Sequence, residues 1–179
     1  MLFFTSFFLS TASAQSFYVR PQIRVGVGGA WTDESLGISV SMDTRMTQII
    51  YISVGGFRSL QEAEITALED DIQSWTKLRS GIWAAPGLRF PHRYKKGALN
   101  WDFLLRAGFA CVFSDLAENE DWTLMEPAAL GGGDLIIFKD QFAMTLSGKM
   151  FAYNPYIREF REKAVIYRPQ LTIEFSHKW

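Results

Sequence analysis

The feature that most constrains the fold is the alternation of side-chain character along residues 164–179. Counting back from Trp179, apolar or aromatic residues occupy every second position except at His177, and mostly polar residues such as Glu174 and Arg168 lie between them. Neighbouring side chains on a strand point to opposite faces, so the pattern predicts a strand with one apolar face. The run exceeds an average strand and suits the roughly nine to eleven residues that cross a bilayer when tilted.

The same alternation recurs along the whole chain. Residues 17–31 mirror the last strand, and Arg20-Pro21-Gln22 repeats as Arg168-Pro169-Gln170, as expected of first and last strands that close a barrel. Hydrophobic periodicity and turn residues predict eight strands in all. They span residues 17–31, 35–45, 48–58, 80–90, 98–114, 124–138, 141–153 and 164–179.

Three segments depart from simple alternation. In residues 59–78, apolar residues recur at helical spacing among acidic ones, and Ser59 with Glu62 fits a capping box, which predicts an acidic amphipathic helix in a long loop. The acidic residues 115–121 predict another loop. Gly131-Gly132-Gly133 predicts a bulge or bend within its strand. The longer connections would then follow strands three, five and seven, all at one end of the barrel.

Composition narrows the class of protein. The net charge of −1 gives no reason to expect a nucleic-acid partner. Cys111 is the single cysteine, so an internal disulfide is excluded. No run of about 18 apolar residues predicts a transmembrane helix. The apolar residues 2–9, followed by Ala12-Ser13-Ala14, predict a signal peptide at 1–14 and a mature barrel domain at 15–179.

Alternation alone leaves open which face of the barrel is apolar. A secreted lipocalin-like barrel would turn the apolar face inward around an apolar ligand, whereas a membrane barrel turns it to lipid. Aromatic residues near the ends of the apolar rows favour lipid, and we predict membrane-interface positions for Phe17, Trp31, Trp101, Phe113, Phe175 and Trp179. The opposite face carries charges of both signs that can neutralise one another. This predicts a lumenal charge network of Arg20, Arg24, Asp43, Arg45, Asp102, Arg106, Lys149, Arg168 and Glu174.

The prolines fit the interpretation as a membrane barrel least well. Pro21, Pro86, Pro127 and Pro169 fall inside predicted strands, all on the apolar phase. Proline lacks the N–H that a ladder needs, and lipid offers the orphaned carbonyl no other partner.

The terminal strand, apolar at alternate positions back from Trp179, resembles the C-terminal signature of Gram-negative outer-membrane barrels. The mature chain resembles the OmpA/OmpX type within the general outer-membrane β-barrel superfamily. The resemblance implies an all-β fold, an eight-stranded antiparallel up-and-down transmembrane β-barrel with one short amphipathic helix in a loop.

The same resemblance implies a location and partners. It implies an integral protein of the cell outer membrane, inserted by the barrel-assembly machinery and in contact with outer-membrane lipid and lipopolysaccharide. Its role would be structural or surface-binding, in envelope integrity or adhesion, with a possible extracellular partner at loops 59–80 and 115–123. A barrel of eight strands has an interior about filled by its own side chains, so at most a narrow porin-like pore is expected.

A lipid-modifying outer-membrane enzyme is the remaining alternative. Such enzymes need a histidine, a serine and a carboxylate in register. The sequence offers His92 in a predicted turn and His177 on the apolar phase, with Ser176 on the opposite face. We therefore predict no catalytic residues, no cofactor and no metal site.

Overall fold

Eight antiparallel strands close into a barrel in the computed structural model, which describes residues 22–32, 35–60, 76–91, 97–116, 119–154 and 165–178. Each strand pairs with its neighbours in the chain, and the last pairs with the first, so the predicted all-β barrel and its strand number are confirmed. The strands are β1 (Ile23–Thr32), β2 (Leu36–Arg45), β3 (Ile50–Ser59), β4 (Thr76–Pro91), β5 (Asn100–Leu116), β6 (Asn119–Lys139), β7 (Phe142–Tyr153) and β8 (Ile166–Lys178).

The first and last strands close the barrel in a register that merges their apolar rows. Val27 of β1 lies opposite Phe175 of β8, and Trp31 lies opposite Leu171. Directly opposed residues on paired strands share a face, so the outward row continues across the closure. The predicted pairing of these two strands is confirmed.

The apolar phase faces outward around the barrel. Large apolar side chains on every strand are exposed on the outer wall, and Phe109 reaches 80% exposure, while alternate polar residues such as Thr172 and Glu174 are buried inside. Leu104 breaks the alternation of β5 and is completely buried in the interior. A lipocalin-like arrangement needs the opposite orientation, so that alternative is wrong for this fold.

Strands extend into the two segments that the sequence predicts to be a helix and a loop. β4 begins at Thr76, so the predicted helix over 59–78 is wrong at its C-terminal end, while residues 61–75 lie outside the described residues. The described residues contain no helix. The predicted loop 115–121 is also wrong in extent, because β5 runs to Leu116 and β6 starts at Asn119. The β5–β6 ladder continues through this acidic segment, for example where Asp115 pairs with Thr123, because backbone hydrogen bonds do not depend on side-chain charge.

The triple glycine of β6 contains no bulge. Its ladders to β5 and β7 keep one register through Gly131, Gly132 and Gly133, whereas shifts occur near Arg79 in β4 and at Leu116 in β5. The expectation of a bulge here is wrong. The backbones approach closely instead, because a Cβ on Gly132 would overlap the carbonyl oxygen of Gly148.

Proline is accommodated on the outer face of the strands. Pro86, Pro127 and Pro169 are all exposed there, and Pro21 lies outside the described residues. Pro86 pairs with Ile52 of β3, while the β4–β5 ladder skips Ala85 and Pro86 and then resumes in the same register. The missing N–H therefore interrupts one ladder locally without shifting the strand.

The orientation of the wall can be tested with Cys111, which lies on its outward phase and is half-buried. A bimane label on Cys111 in phospholipid vesicles should be quenched by doxyl-labelled lipid and protected from aqueous iodide, because the apolar wall faces hydrocarbon. Ser147→Cys in a Cys111→Ser background is the matched control. Ser147 is buried inside the barrel and should resist labelling. Iodide quenching at Cys111 with rapid labelling at position 147 would contradict this orientation.

Candidate functional site

The two ends of the barrel differ in how the strands are connected. We call the turn end the one where β2–β3, β4–β5 and β6–β7 are joined, and the loop end the one where β1–β2, β3–β4, β5–β6 and β7–β8 are joined. Only Asp140 and Gln141 separate β6 from β7, and Asp140 takes the left-handed φ of 55° that such a tight turn demands. The connection after β3 is the longest, at residues 60–75.

A charged layer fills the interior from the turn end to mid-barrel. Its centre is Asp43, which is almost completely buried and contacts two arginines. Arg24 Nε donates to Asp43 Oδ2 at 3.0 Å, and Arg106 Nη1 lies 3.0 Å from Asp43 Oδ1. Arg106 also forms an ion pair with Asp134, so one chain of contacts crosses the lumen from β1 to β6.

Further charges complete this layer. Arg89 Nε donates to Asp102 Oδ2 at 2.7 Å, Ser41 donates to Glu174, and Lys149 Nζ donates to Thr172 Oγ1 at 3.2 Å. Buried charges are tolerated when they are paired and hydrogen-bonded. Among the described residues, the charged layer holds four cations and four carboxylates and is therefore balanced. Its members are Arg24, Arg89, Arg106, Lys149, Asp43, Asp102, Asp134 and Glu174.

Glycines make room for the largest side chains of this layer. Gly132 lies in register between Arg106 on β5 and Lys149 on β7, so two long cations flank a position without a side chain. Both cations lie 5.3 Å from the ring of Trp83, a geometry for cation–π attraction. The Trp83 ring in turn covers Gly55, where a Cβ would approach it to 2.5 Å. Small residues opposite large ones thus let a narrow barrel close around bulky groups.

An apolar plug fills the interior towards the loop end. Val112, Phe151 and Ile166 are completely buried, and the rings of Phe57 and Phe151 lie 5.5 Å apart between centroids. The plug consists of Ala30, Phe57, Leu78, Val112, Ala128, Leu130, Phe151, Tyr153 and Ile166. Together with the charged layer it closes the lumen. A cavity of about 320 Å³ opens at the turn end, beside Arg45 and Arg89.

The polar groups within the apolar plug bond to one another. The hydroxyls of Ser114 and Tyr153 lie 3.0 Å apart. Arg168 donates to the carbonyl oxygen of Thr76 and lies 3.3 Å from its Oγ1. These bonds tie β4 and β5 to β7 and β8 across the loop end of the interior.

The structure places the predicted lumenal residues in three settings. Arg24, Asp43, Asp102, Arg106, Lys149 and Glu174 lie in the charged layer. Arg168 lies in the apolar plug. Arg45 lies at the turn end, where its Nε donates to the carbonyl of Thr47. Arg20 lies outside the described residues.

Two members of the charged layer escaped the sequence prediction. Asp134 follows the triple glycine, and Arg89 stands near the end of a strand whose preceding inward residues, Trp83, Ala85 and Gly87, are apolar or glycine. Both face inward. Counting every second residue back from the buried Ile136 reaches Asp134, and counting every second residue forward from the buried Trp83 reaches Arg89.

The predicted interface aromatics that the structure describes all lie on the outer wall. Trp31 and Phe113 are near the loop end, and Trp101 and Phe175 are near the turn end. Phe17 and Trp179 lie outside the described residues. Two levels of outward aromatic rings are typical of the girdles of membrane barrels.

The candidate catalytic pair stays apart. Ser176 is buried inside, whereas His177 packs edge-on against Phe142 with 5.2 Å between ring centroids. His92 lies outside the described residues. Among those described, no three His, Cys, Asp or Glu side chains cluster as metal ligands, and no helix is long and apolar enough to span a membrane.

The charged layer should dominate stability through Asp43. Asp43→Asn removes the counter-charge of two buried arginines and should lower the free energy of unfolding by about 3–5 kcal/mol. Urea unfolding of the barrel in phospholipid vesicles measures this. Asp140→Asn is the matched control, because asparagine also tolerates the left-handed conformation of that exposed turn. Equal effects of the two substitutions would contradict a structural role for the ion-pair network.

Comparison with known proteins gives the fold its context. No protein-family model matches the sequence, and no curated protein is significantly similar to it. The crystal structure of Neisserial surface protein A (NspA) is similar, with a TM-score of 0.55 at 8% identity over 89% of this chain and 97% of that one. The N-terminal β-barrel domain of Pseudomonas aeruginosa OprF has a TM-score of 0.50 at 10% identity over 87% and 96%. The chain therefore has the fold of the small eight-stranded outer-membrane β-barrels.

Proposed function

We propose that this chain is an integral outer-membrane protein with a non-enzymatic role in envelope integrity or adhesion, carried by its loop end. The observation that supports this most is the closed interior. The charged layer and the apolar plug occupy the lumen in series, with completely buried side chains in both, such as Asp134 and Phe151. The lumen is therefore blocked between the cavity at the turn end and the loop end, so a partner on the loop side must be met by the loops or by the outer wall.

The outer wall supports placement in a bilayer. Apolar side chains are exposed on every strand, including Ile82, Phe109, Leu171 and Phe175. A water-soluble protein rarely exposes a continuous apolar patch of more than a few hundred Å², whereas a band of this kind is the lipid-facing surface of a membrane barrel. The fold shared with outer-membrane barrels agrees with this placement.

The connections support one orientation. Outer-membrane barrels have short periplasmic turns and longer extracellular loops. Residues 60–75 and 154–165 both connect strands at the loop end, and the first of them includes Glu62, Glu64 and Glu69. We therefore place the loop end outside the cell, with export through a signal peptide at 1–14. The partner-binding segments proposed are 59–80 and 115–123, although parts of both are strand.

The closed lumen generates a conductance prediction. The purified barrel should give no stable channel in planar bilayers, because the apolar plug excludes ions. Phe57→Ala with Phe151→Ala removes the ring pair at the centre of the plug and should produce measurable single-channel currents. Phe109→Ala, on the outer wall, is the control and should leave the bilayer silent. Stable wild-type currents that persist unchanged in the double variant would contradict a closed lumen.

The proposed role is tested by replacing residues 61–74 with a short Gly/Ser linker. The barrel should still fold, as shown by a heat-dependent mobility shift on gels, because the strand pairings that close the barrel are made by β1 to β8. Complementation of a deletion strain should be lost, measured as survival in detergent and as attachment to surfaces.

An epitope tag reports the orientation in the same cells. A tag within 61–74 should be stained on intact cells, whereas a tag between Asp140 and Gln141 should need permeabilisation. Full complementation by the linker variant would contradict a role for this loop. Staining of the Asp140 tag on intact cells would reverse the orientation.

A further inference from the structure

The cavity at the turn end is lined on one side by cations. It has a volume of about 320 Å³, and Arg24, Arg45 and Arg89 project into it from the inward phase of β1, β2 and β4. Tyr51 of β3 lies opposite Arg45 in the β2–β3 ladder and lines the same space. We call Arg24, Arg45, Tyr51 and Arg89 the basic wall. Four consecutive strands thus present hydrogen-bond donors to one cavity.

Two arginines of the basic wall are paired but retain donors. Arg24 binds Asp43 through Nε and Nη2, which leaves Nη1 for another acceptor. Arg89 Nε donates to Asp102 Oδ2 at 2.7 Å, and its Nη1 donates to the Tyr51 hydroxyl at 3.4 Å. The hydroxyl therefore keeps its own O–H for an acceptor in the cavity. The side chains of Arg24 and Arg89 are 14% and 16% exposed, so a ligand can reach both.

Arg45 is the member of the basic wall whose charge is not neutralised. Its Nε donates to the carbonyl of Thr47 at 3.0 Å, and its Nη1 lies 3.5 Å from the amide oxygen of Gln22. Both acceptors are neutral. Among the described carboxylates, none forms an ion pair with Arg45, although Asp140 lines the same cavity. The cavity therefore offers a positive charge that an anion can neutralise.

The connections at this end of the barrel add positive charge. Residues 92–99, which join β4 to β5, contain Arg93, Lys95 and Lys96 and no carboxylate. Residues 46–49, which join β2 to β3, are uncharged. The β6–β7 turn contributes the single carboxylate of Asp140. The charge of these connections favours the approach of an anion.

The opposite side of the cavity is apolar. Ile136 and Phe138 of β6 and Ala143 of β7 lie there on the inward phase, and Phe138 pairs with Ala143 in the β6–β7 ladder. In a ring of eight strands β6 lies four places from β2, so these residues face Arg45 across the mouth of the barrel. A ligand that fills the cavity must present an anionic group to one side and an apolar group to the other.

We propose that this cavity binds a small organic carboxylate whose apolar body is about the size of one side chain, as in the C-terminal residue of a peptide. Guanidinium groups bind carboxylates through paired, charge-assisted hydrogen bonds. The volume lies near the lower limit for ligand pockets, roughly 300–1,000 Å³, and suits a ligand of one residue. Inorganic phosphate would leave the apolar side without a partner. The site itself stands on geometry, and only its compartment, the periplasm, rests on the proposed function.

The test is a fluorine NMR titration of N-acetyl-fluorophenylalanine, as its carboxylate, against the folded barrel in a zwitterionic detergent, with empty micelles as the blank. Arg45→Gln should raise the dissociation constant about tenfold, because it removes the unneutralised charge and keeps hydrogen-bond donors. Ala143→Phe should also weaken binding, since it fills the apolar side without changing charge. Lys139→Gln is the matched control. Lys139 is an exposed cation on the outward phase at the same end, and its loss should leave binding unchanged.

Matched ligands separate the two sides of the site. The amide of the same probe lacks the charge and acetate lacks the ring, so each should bind about tenfold more weakly or worse. Equal binding of the amide, or phosphate binding as tight as that of the probe, would overturn the assignment. Unchanged binding in Arg45→Gln, or equal weakening in Lys139→Gln, would overturn it as well.

A heat-dependent mobility shift checks that the wild type and each variant are folded. A folded wild-type barrel that does not bind the probe would refute this inference and leave the proposed function standing. Staining of the Asp140 tag on intact cells would refute the periplasmic assignment together with the proposed orientation, whereas binding by the purified barrel would be unaffected.

Discussion

The constraint on which the structure depends is the need to pair backbone N–H and C=O groups without water. In hydrocarbon, an unpaired group costs several kcal/mol, and a sheet meets the requirement only by closing on itself. The pairing of β1 with β8 provides that closure. Closure also separates the two phases of every strand into an inside and an outside. The outward apolar rows and the inward polar rows are therefore two consequences of one requirement.

Closure at eight strands creates a second problem, which is how to fill a narrow interior. This chain uses two solutions along the barrel axis. Near the turn end, charges of opposite sign lie close to one another around Asp43, with Trp83 between two cations. Near the loop end, Phe57, Phe151 and their neighbours pack as in the core of a soluble protein. In the charged layer each ion must meet its own counter-ion, because a buried charge without one is energetically costly. The apolar plug seals the lumen.

The period of two explains why so much of the fold could be predicted from the sequence. Alternation alone assigns each side chain of a strand such as β8 to a face, and all eight strands were found in this way. The extent of the strands was predicted less well, because backbone pairing continued through polar residues at Thr76 and Asp115 where side-chain character had indicated a helix and a loop. The bulge expected at Gly131-Gly132-Gly133 is absent, since these glycines serve close packing between strands. Sequence periodicity does not indicate which residues of different strands lie at the same level along the barrel axis. The relative shift of the strands along the barrel axis decides which inward residues meet. It brings Arg106 to Asp43 and Asp134, and it separates the charged layer from the apolar plug.

The pairing of the first strand, β1, with the last strand, β8, has a further consequence. Arg24 lies opposite Lys178, so the described chain begins and finishes side by side at the turn end. Energetically the ring has no first strand, since each strand contacts two neighbours in the same manner. The order in which the strands are synthesised is thus separable from the folded state, and circularly permuted chains could reach the same barrel. The order of the strands along the chain would then matter to the pathway of insertion, and not to the stability of the finished molecule.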